Sequence, residues 1–246
     1  MGGLTLIHIH ANASLPRAGS ELLQALLAQH PDVYASATSP LLEYIYAAQG
    51  NTAMAEVKSQ NQHTMREAFA GFCREGTRGY YEAITDKPTV IDKSRGWLEY
   101  AELLWAAYPD ARIVCMVRDP EAIIESLERI YQANVGHPET RGLPPTPAAR
   151  RSAWLAPESK PLGLALRRLH LRQQRPDSRI RYINYDIMCE QPVAVMRRVF
   201  EHLQLPVFDI DPGNVIKAAY EDDSYFGIFG NHTVHPTVRK SHGYQH

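Results

Sequence analysis

Several short clusters in the sequence carry side chains suited to holding an anion. The first, Ser14-Leu-Pro-Arg-Ala-Gly-Ser-Glu-Leu-Leu-Gln24, sets Arg17 ahead of Gly19 and Ser20, after the apolar run Leu4–Ile9 and before leucines at helical spacing, Leu22, Leu23, Leu26 and Leu27. This pattern reads as strand, loop, helix, with the helix over residues 20 to 30 and Pro31 ending it. A helix N-terminus leaves backbone N–H groups without intrahelical partners and carries about half a positive charge. A loop containing Gly lets the N–H groups of Ala18, Gly19, Ser20, Glu21 and Leu22 approach a phosphate or sulfate closely. Arg17 adds a guanidinium suited to bidentate oxyanion contact. The stretch lacks the Gly-x4-Gly-Lys-Ser/Thr of a Walker A loop.

The elements that must position these groups repeat one plan. Pro88-Thr-Val-Ile-Asp-Lys-Ser-Arg-Gly96 is a β-branched run ending in charge, followed by a helix with Leu98, Ala101, Trp105 and Tyr108. Ala111 to Pro120 is a second apolar run ending in Arg118 and Asp119, and Pro120 opens a helix with Ile123, Ile124, Leu127 and Ile130 along one face. Arg179 to Asp186 is a third, followed by a helix from about Pro192. Val33–Ser36 makes a further short strand, Pro40 starts a helix to about Ala48, and residues 62 to 83 form an amphipathic helix with Met65, Ala68, Phe69, Phe72 and Cys73 inward and a break near Gly76 or Gly79. Strands alternating with helices predict an α/β protein, three layers deep, around a central parallel sheet. Arg17, Asp92, Lys93, Arg95, Arg118, Tyr185 and Asp186 then fall at the carboxyl ends of strands, where open α/β sheets bind ligands. Residues 132–150 read as a loop that could be a lid or a plain connection, and 221–246 as a flap over the site or a frayed tail.

At 246 residues and 44% hydrophobic content the chain can bury one sizeable core, so residues 1–246 are expected to form a single domain. A net charge of −1 gives no reason to expect a nucleic-acid partner. Charge is uneven, however: between Arg141 and Arg181 there are ten basic residues and two acids, either a stripe facing a polyanion or a solvated helix face. Three widely spaced cysteines with no CxxC suggest neither disulfides nor a zinc site. No stretch reads as a signal peptide or as a membrane span, so a cytoplasmic protein is expected. The eleven histidines are scattered, and His8 and His10 read as structural or surface groups rather than metal ligands.

The order Pro-Arg-x-Gly-Ser-x-Leu-Leu resembles the 5′-phosphosulfate loop of sulfotransferases that use 3′-phosphoadenosine 5′-phosphosulfate (PAPS). Val117-Arg-Asp-Pro-Glu-Ala-Ile-Ile-Glu-Ser126 is similar to that family's 3′-phosphate motif, in which a strand-end Arg and a Ser eight residues later share the phosphate; Arg118 and Ser126 keep the spacing. Asp92–Trp97 resembles the strand-end Lys segment, which implies that Lys93 reaches the transferring sulfuryl group. Asn184–Pro192, running on to Pro206, resembles the segment that puts Tyr185 near the adenosine, and Arg239-Lys240 resembles a late basic pair closing over the donor. The resemblance covers nearly the whole chain. It implies a P-loop NTPase-like fold and sulfuryl transfer from PAPS to a hydroxyl or amine, with 3′,5′-adenosine bisphosphate (PAP) as the other product. It also implies that no metal is needed.

Sulfuryl transfer is an in-line displacement, so catalysis rests on positioning and fixed positive charge, here from Arg17, Lys93 and the loop N–H groups. Two departures stand out. Glu21 occupies a position where the family loop has Thr or Ser, and the family's proton acceptor is replaced by Arg95 on one element and the run Ala35–Ser39 on the other. The candidates for that base are Asp92, Glu43 and Glu99. The rival readings are a nucleotide kinase of related fold and a non-catalytic nucleotide-binding module. The acceptor could be a small molecule, a saccharide or a peptide.

Overall fold

The computed structural model describes residues 7–50, 53–230 and 234–239. Its strands are β1 (His8–Asn12), β2 (Val33–Thr38), β3 (Thr89–Lys93), β4 (Ile113–Val117) and β5 (Ile180–Asn184). Its α-helices are α1 (Ser20–Leu27), α2 (Leu41–Gly50), α3 (Ala55–Lys58), α4 (Gln62–Glu82), α5 (Ala101–Ala107), α6 (Pro120–Ala133), α7 (Pro147–Leu155), α8 (Gly163–Gln173), α9 (Tyr185–Glu190) and α10 (Pro192–His202). The strands form one sheet in the order β2-β3-β1-β4-β5, and every pairing is parallel.

A parallel sheet covered on both faces needs nearly continuous apolar strands, and Val90, Ile91, Ile113, Val114, Cys115 and Met116 are fully buried. Right-handed crossovers decide which helix covers which face. The chain moves from β1 outward to β2 through α1, then back across the sheet through the later helices, so α1 lies on one face and α2–α8 on the other. Packing follows this division: His30, just past α1, meets Phe200 of α10 with ring centroids 5.4 Å apart, while Arg172 of α8 grips Glu102 of α5. The reversal of direction falls at β1, so a crevice opens above the carboxyl ends of β1 and β4.

Local sequence fixes the element ends. Asp119 caps α6 by accepting from Glu121 N at 3.0 Å, with Pro120 at the first helical position. Asn184 caps α9 through the N–H groups of Asp186 and Ile187. This cap adds α9 ahead of α10, where the sequence pattern suggested only the helix from Pro192. β1 ends at Asn12 rather than Ile9, and residues 4–6 of the expected strand lie outside the described residues. α4 runs unbroken through Gly76 and Gly79. Its buried side chains are Cys73, Thr77 and Tyr81, whereas Phe72 is 62% exposed, so its inward face is rotated from the expected one. The 132–150 segment is partly helical: α6 extends to Ala133, Pro138–Thr140 form a 3-10 turn and α7 begins at Pro147.

Six of the ten basic residues between Arg141 and Arg181 are paired within the chain. Arg150 pairs with Glu128, Arg151 with Glu121, Arg167 with Glu158, Arg168 with Glu99, Arg172 with Glu102 and Arg179 with Asp177. Three of these pairs join helices, Arg150 and Arg151 of α7 to α6 and Arg172 of α8 to α5, while Arg167 and Arg168 tie α8 to neighbouring loops and Arg179–Asp177 is local to the turn before β5.

Candidate active site

The loop after β1 bends twice through left-handed backbone, at Arg17 (φ 55°) and Gly19 (φ 87°). At Gly19 only glycine suits: a left-handed φ is disfavoured for other residues, and an added Cβ would lie 2.8 Å from the Tyr185 ring. Beneath the loop, buried Asn12 donates to Ser20 O and Gln24 Oε1, both at 3.3 Å, while Gln24 reaches across to Ser36 O (2.8 Å) and Ile91 O (3.1 Å). This polar network pins the N-terminus of α1 over the strand ends. Among the expected loop groups, Gly19, Ser20, Glu21 and Leu22 line a cleft of about 1410 Å³, but Ala18 does not. Ala18 is fully buried and its N–H turns back to Leu15 O at 3.4 Å, so it is not presented to a ligand.

Arg17 and Arg118 meet at this cleft although they follow different strands. Arg17 Nε donates to Ser126 Oγ at 3.3 Å, and Arg118 Nη1 donates to Arg17 O at 3.1 Å. Arg118 also lies 4.4 Å over the centroid of the Tyr185 ring, a cation–π contact that fixes its plane. Burial, together with the guanidinium groups of Arg118 and Arg129, lowers the Arg17 pKa below its ordinary value. Such crowding of like charge in a partly desolvated pocket favours an anionic ligand. Arg129 lines the cleft too. It lies three residues after Ser126, on the same helix face, and that spacing could have revealed it.

Lys93 ends β3 at the other side of the cleft. It is 6% exposed, and its ammonium is engaged by Glu21 from α1 and lies 3.6 Å from Glu221. Burial pushes the Lys93 pKa down to about 8, with Glu221 opposing the shift. Glu221 is itself fixed from the sheet, since its Oε1 accepts from Thr38 N at 2.8 Å. Pairing with Lys93 is how the chain accommodates a carboxylate at Glu21.

The candidate bases are not brought together with these groups. Asp92 is fully buried, accepting from Trp97 Nε1 at 2.6 Å and from the Tyr81 hydroxyl, and its carboxyl faces the core rather than the cleft. Burial raises its pKa. Glu43 is exposed on α2, and Glu99 is exposed and tied to Arg168 at 2.6 Å; neither lines the cleft. In contrast, Thr38, Ser94, Arg95 and His235 line it without having been singled out as donor or base candidates, apart from the placing of Arg95 at a strand end.

Part of the C-terminal stretch borders the cleft. Ile228, Phe229, Val234, His235, Thr237 and Arg239 line it. The segment is held by Ile228 N donating to Glu139 Oε1 (3.2 Å), by Phe229 against Trp154 (6.1 Å between centroids) and by Val215 N donating to Pro236 O (2.8 Å). The described residues 228–230, 234, 235, 237 and 239 of this stretch lie along the cleft. Arg239 is beside His235, at 3.0 Å, and Lys240 lies outside the described residues.

Residues 13–209 match the model of a family described as the sulfotransferase family. The chain belongs to that family. A curated relative, nodulation protein NoeE of Sinorhizobium fredii, is 25% identical over 233 residues, covering 87% of this chain and 53% of the relative. The chain thus spans about half the length of that protein. Among solved structures, the sulfotransferase domain from the curacin biosynthetic pathway superposes with a TM-score of 0.55 at 17% identity, over 96% of this chain and 88% of that one. The sulfotransferase from Alicyclobacillus acidocaldarius gives 0.53 at 18% identity, over 89% and 87%. These two likenesses concern the fold, and they agree with a central parallel sheet of P-loop-like α/β type. Among the described residues no helix is long and apolar enough to cross a membrane.

Proposed function

We infer that this sulfotransferase-family chain transfers a sulfuryl group from PAPS to a hydroxyl or amine, releasing PAP. The observation that carries this reading is the joining of two arginine-bearing strand ends, Arg17 with Ser126 and Arg118 with the Arg17 carbonyl, beside the N-terminus of α1. A molecule with anionic groups at two ends of an adenosine fits such a cradle. The left-handed Gly19 lets Tyr185 close over it, and the three arginines supply charge. Residues of the α1 first turn and Arg17 would hold the 5′ end, Arg118 and Ser126 the 3′-phosphate, and Tyr185 the base or sugar. The donor supplies an activated sulfur; the chain supplies orientation and fixed positive charge, with Lys93 toward the sulfuryl end.

One observation favours a second reading, a module that binds the nucleotide without turnover: Lys93 is already engaged by Glu21 and lies near Glu221. Calorimetric titration with PAP tests the first requirement of both. Wild type should bind, and Arg118→Ala and Ser126→Ala should each weaken binding, the former by about tenfold or more, as expected for a lost charge-assisted contact. A folded wild type that binds no PAP overturns both readings, and release of PAP from PAPS in the presence of an acceptor separates them.

A further inference from the structure

The sheet order divides the cleft between two sides. Arg17, Arg118, Ser126 and Tyr185 follow β1, β4 and β5, so a donor anchored by them lies over that half of the sheet. In-line displacement puts the attacking atom opposite the leaving oxygen, which brings the acceptor in over β3 and β2, where Thr38, Ser94 and Arg95 line the cleft. A cleft of about 1410 Å³ is larger than the ~300–1,000 Å³ of an ordinary small-ligand site, so it has room for a second molecule.

Arg95 brings to this half a positive charge that the chain does not offset. Lys93 is engaged by Glu21 and Arg168 by Glu99, whereas among the described residues no carboxylate pairs with Arg95. This sets it apart from the six paired guanidinium groups between Arg150 and Arg179. Solvent reaches the residue through the cleft, yet the protein crowding it, and then the charge of Arg168, lowers its pKa below the ordinary value. A cation so placed is costly until an anion meets it. A guanidinium stays protonated and accepts no hydrogen bond, so Arg95 cannot take the acceptor's proton; what it can do is hold negative charge.

The backbone that presents it is firmly set. The 3-10 turn Arg95–Leu98 buries Trp97 and Leu98, and Trp97 donates to Asp92 at 2.6 Å. A Cβ on Gly96 would collide with Leu42 of α2. Just ahead, Ser94 Oγ accepts from Gly96 N at 3.3 Å, which leaves its O–H to donate. Resting on the sulfuryl-transfer reading, we propose that Arg95 and Ser94 form a subsite for an anionic oxygen group on the acceptor. The substrate class is then a hydroxyl or amine compound that also carries a carboxylate, sulfate or phosphate, gripped by the guanidinium fork and the serine hydroxyl.

The experiment follows PAP release from PAPS with two matched pairs of acceptors, para-hydroxybenzoate beside para-hydroxybenzamide and methyl glucuronide beside methyl glucoside. Wild type, Arg95→Gln and Arg95→Lys are compared, with PAP titration reporting the donor site of each protein. In wild type kcat/KM should favour the charged member of a pair by about tenfold or more, the worth of a charge-assisted contact. Arg95→Gln should bring the two members to within about threefold of each other, chiefly by raising KM for the charged one, and Arg95→Lys should keep part of the preference. No preference in wild type, or a preference that survives in Arg95→Gln, overturns the subsite while leaving sulfuryl transfer standing. A wild type that binds PAP but turns over no member of either pair supports the binding-only module and overturns both the transfer reading and the subsite.

Discussion

The ring of Tyr185 lies so close to Gly19 that a Cβ built on that glycine would sit 2.8 Å from Cδ2. Gly19→Ala must therefore move the ring as well as adopt a left-handed φ of 87°. The backbone cost alone is about 1–2 kcal/mol, or roughly 2–8 °C in Tm for a chain of this size. Tyr185 is the platform under Arg118, so PAP affinity should fall about tenfold or more in the folded variant. Thermal unfolding and calorimetry on one sample check both; an alanine variant with wild-type affinity would show that the Tyr185 contact does not shape the site.

Asp92 is expected to matter for stability and not for binding. Its carboxyl takes the Trp97 indole N–H and the Tyr81 hydroxyl inside the core. Asp92→Ala strands both donors, at a cost on the order of 3 kcal/mol. Asp92→Asn keeps an acceptor and should cost less. Urea unfolding measures the difference, and PAP titration of the folded variants should return the wild-type affinity. A binding defect at full stability would contradict the placement of Asp92 in the core.

A pH dependence follows from His10. Burial, then the charges of His8, Arg112 and His202, push its pKa down to about 3, while Nδ1 accepts from Arg112 N at 3.1 Å. The unfolded chain protonates this histidine near pH 6.5 and the native state does not. The unfolded state then binds more protons, so its contribution is fully present above 6.5 and is lost as pH falls toward about 3. The slope approaches about 1.4 kcal/mol per pH unit. Unfolding free energies at pH 7, 6, 5 and 4 for wild type and His10→Asn should diverge in that direction; parallel curves would refute it.

Arg150 holds the connection after α6. It is 1% exposed, donates to Pro144 O and Pro145 O at 2.9 Å each, pairs with Glu128 and lies 3.8 Å over the Tyr131 ring. Arg150→Met leaves Glu128 and two carbonyls without this partner, at a cost on the order of 3 kcal/mol. Amide hydrogen exchange across residues 136–146 should accelerate more than in the sheet. Uniform acceleration would mean that Arg150 supports the whole fold rather than this connection.

What could be read from the sequence was what is local. The parallel sheet follows from apolar runs alternating with amphipathic helices, and Arg118 with Ser126 is legible because one strand-to-helix turn fixes their spacing. The placing of Asp92 is not legible, because a strand-end carboxylate looks the same in sequence whether it faces the cleft or the core; Tyr81 and Trp97 decide it, and they come from α4 and the 3-10 turn after β3. The inward face of α4 escapes the pattern for a related reason, since hydrophobicity ranks Phe72 above Thr77 while exposure depends on what the helix lies against. Glu221 had no signal at all: it lies in a stretch without periodicity, 183 residues from the Thr38 backbone that holds it.

The hydrogen bond from Arg118 to the Arg17 carbonyl ties together two loops separated by 101 residues, and the Arg17 side chain ties back to Ser126 across 109. Each loop is thus the other's spacer. The distance between these two strand-end turns is set when the chain folds, with no ligand needed to hold it. On the proposed reading it works as a ruler, which a ligand with anionic groups at the matching separation would fit at both ends.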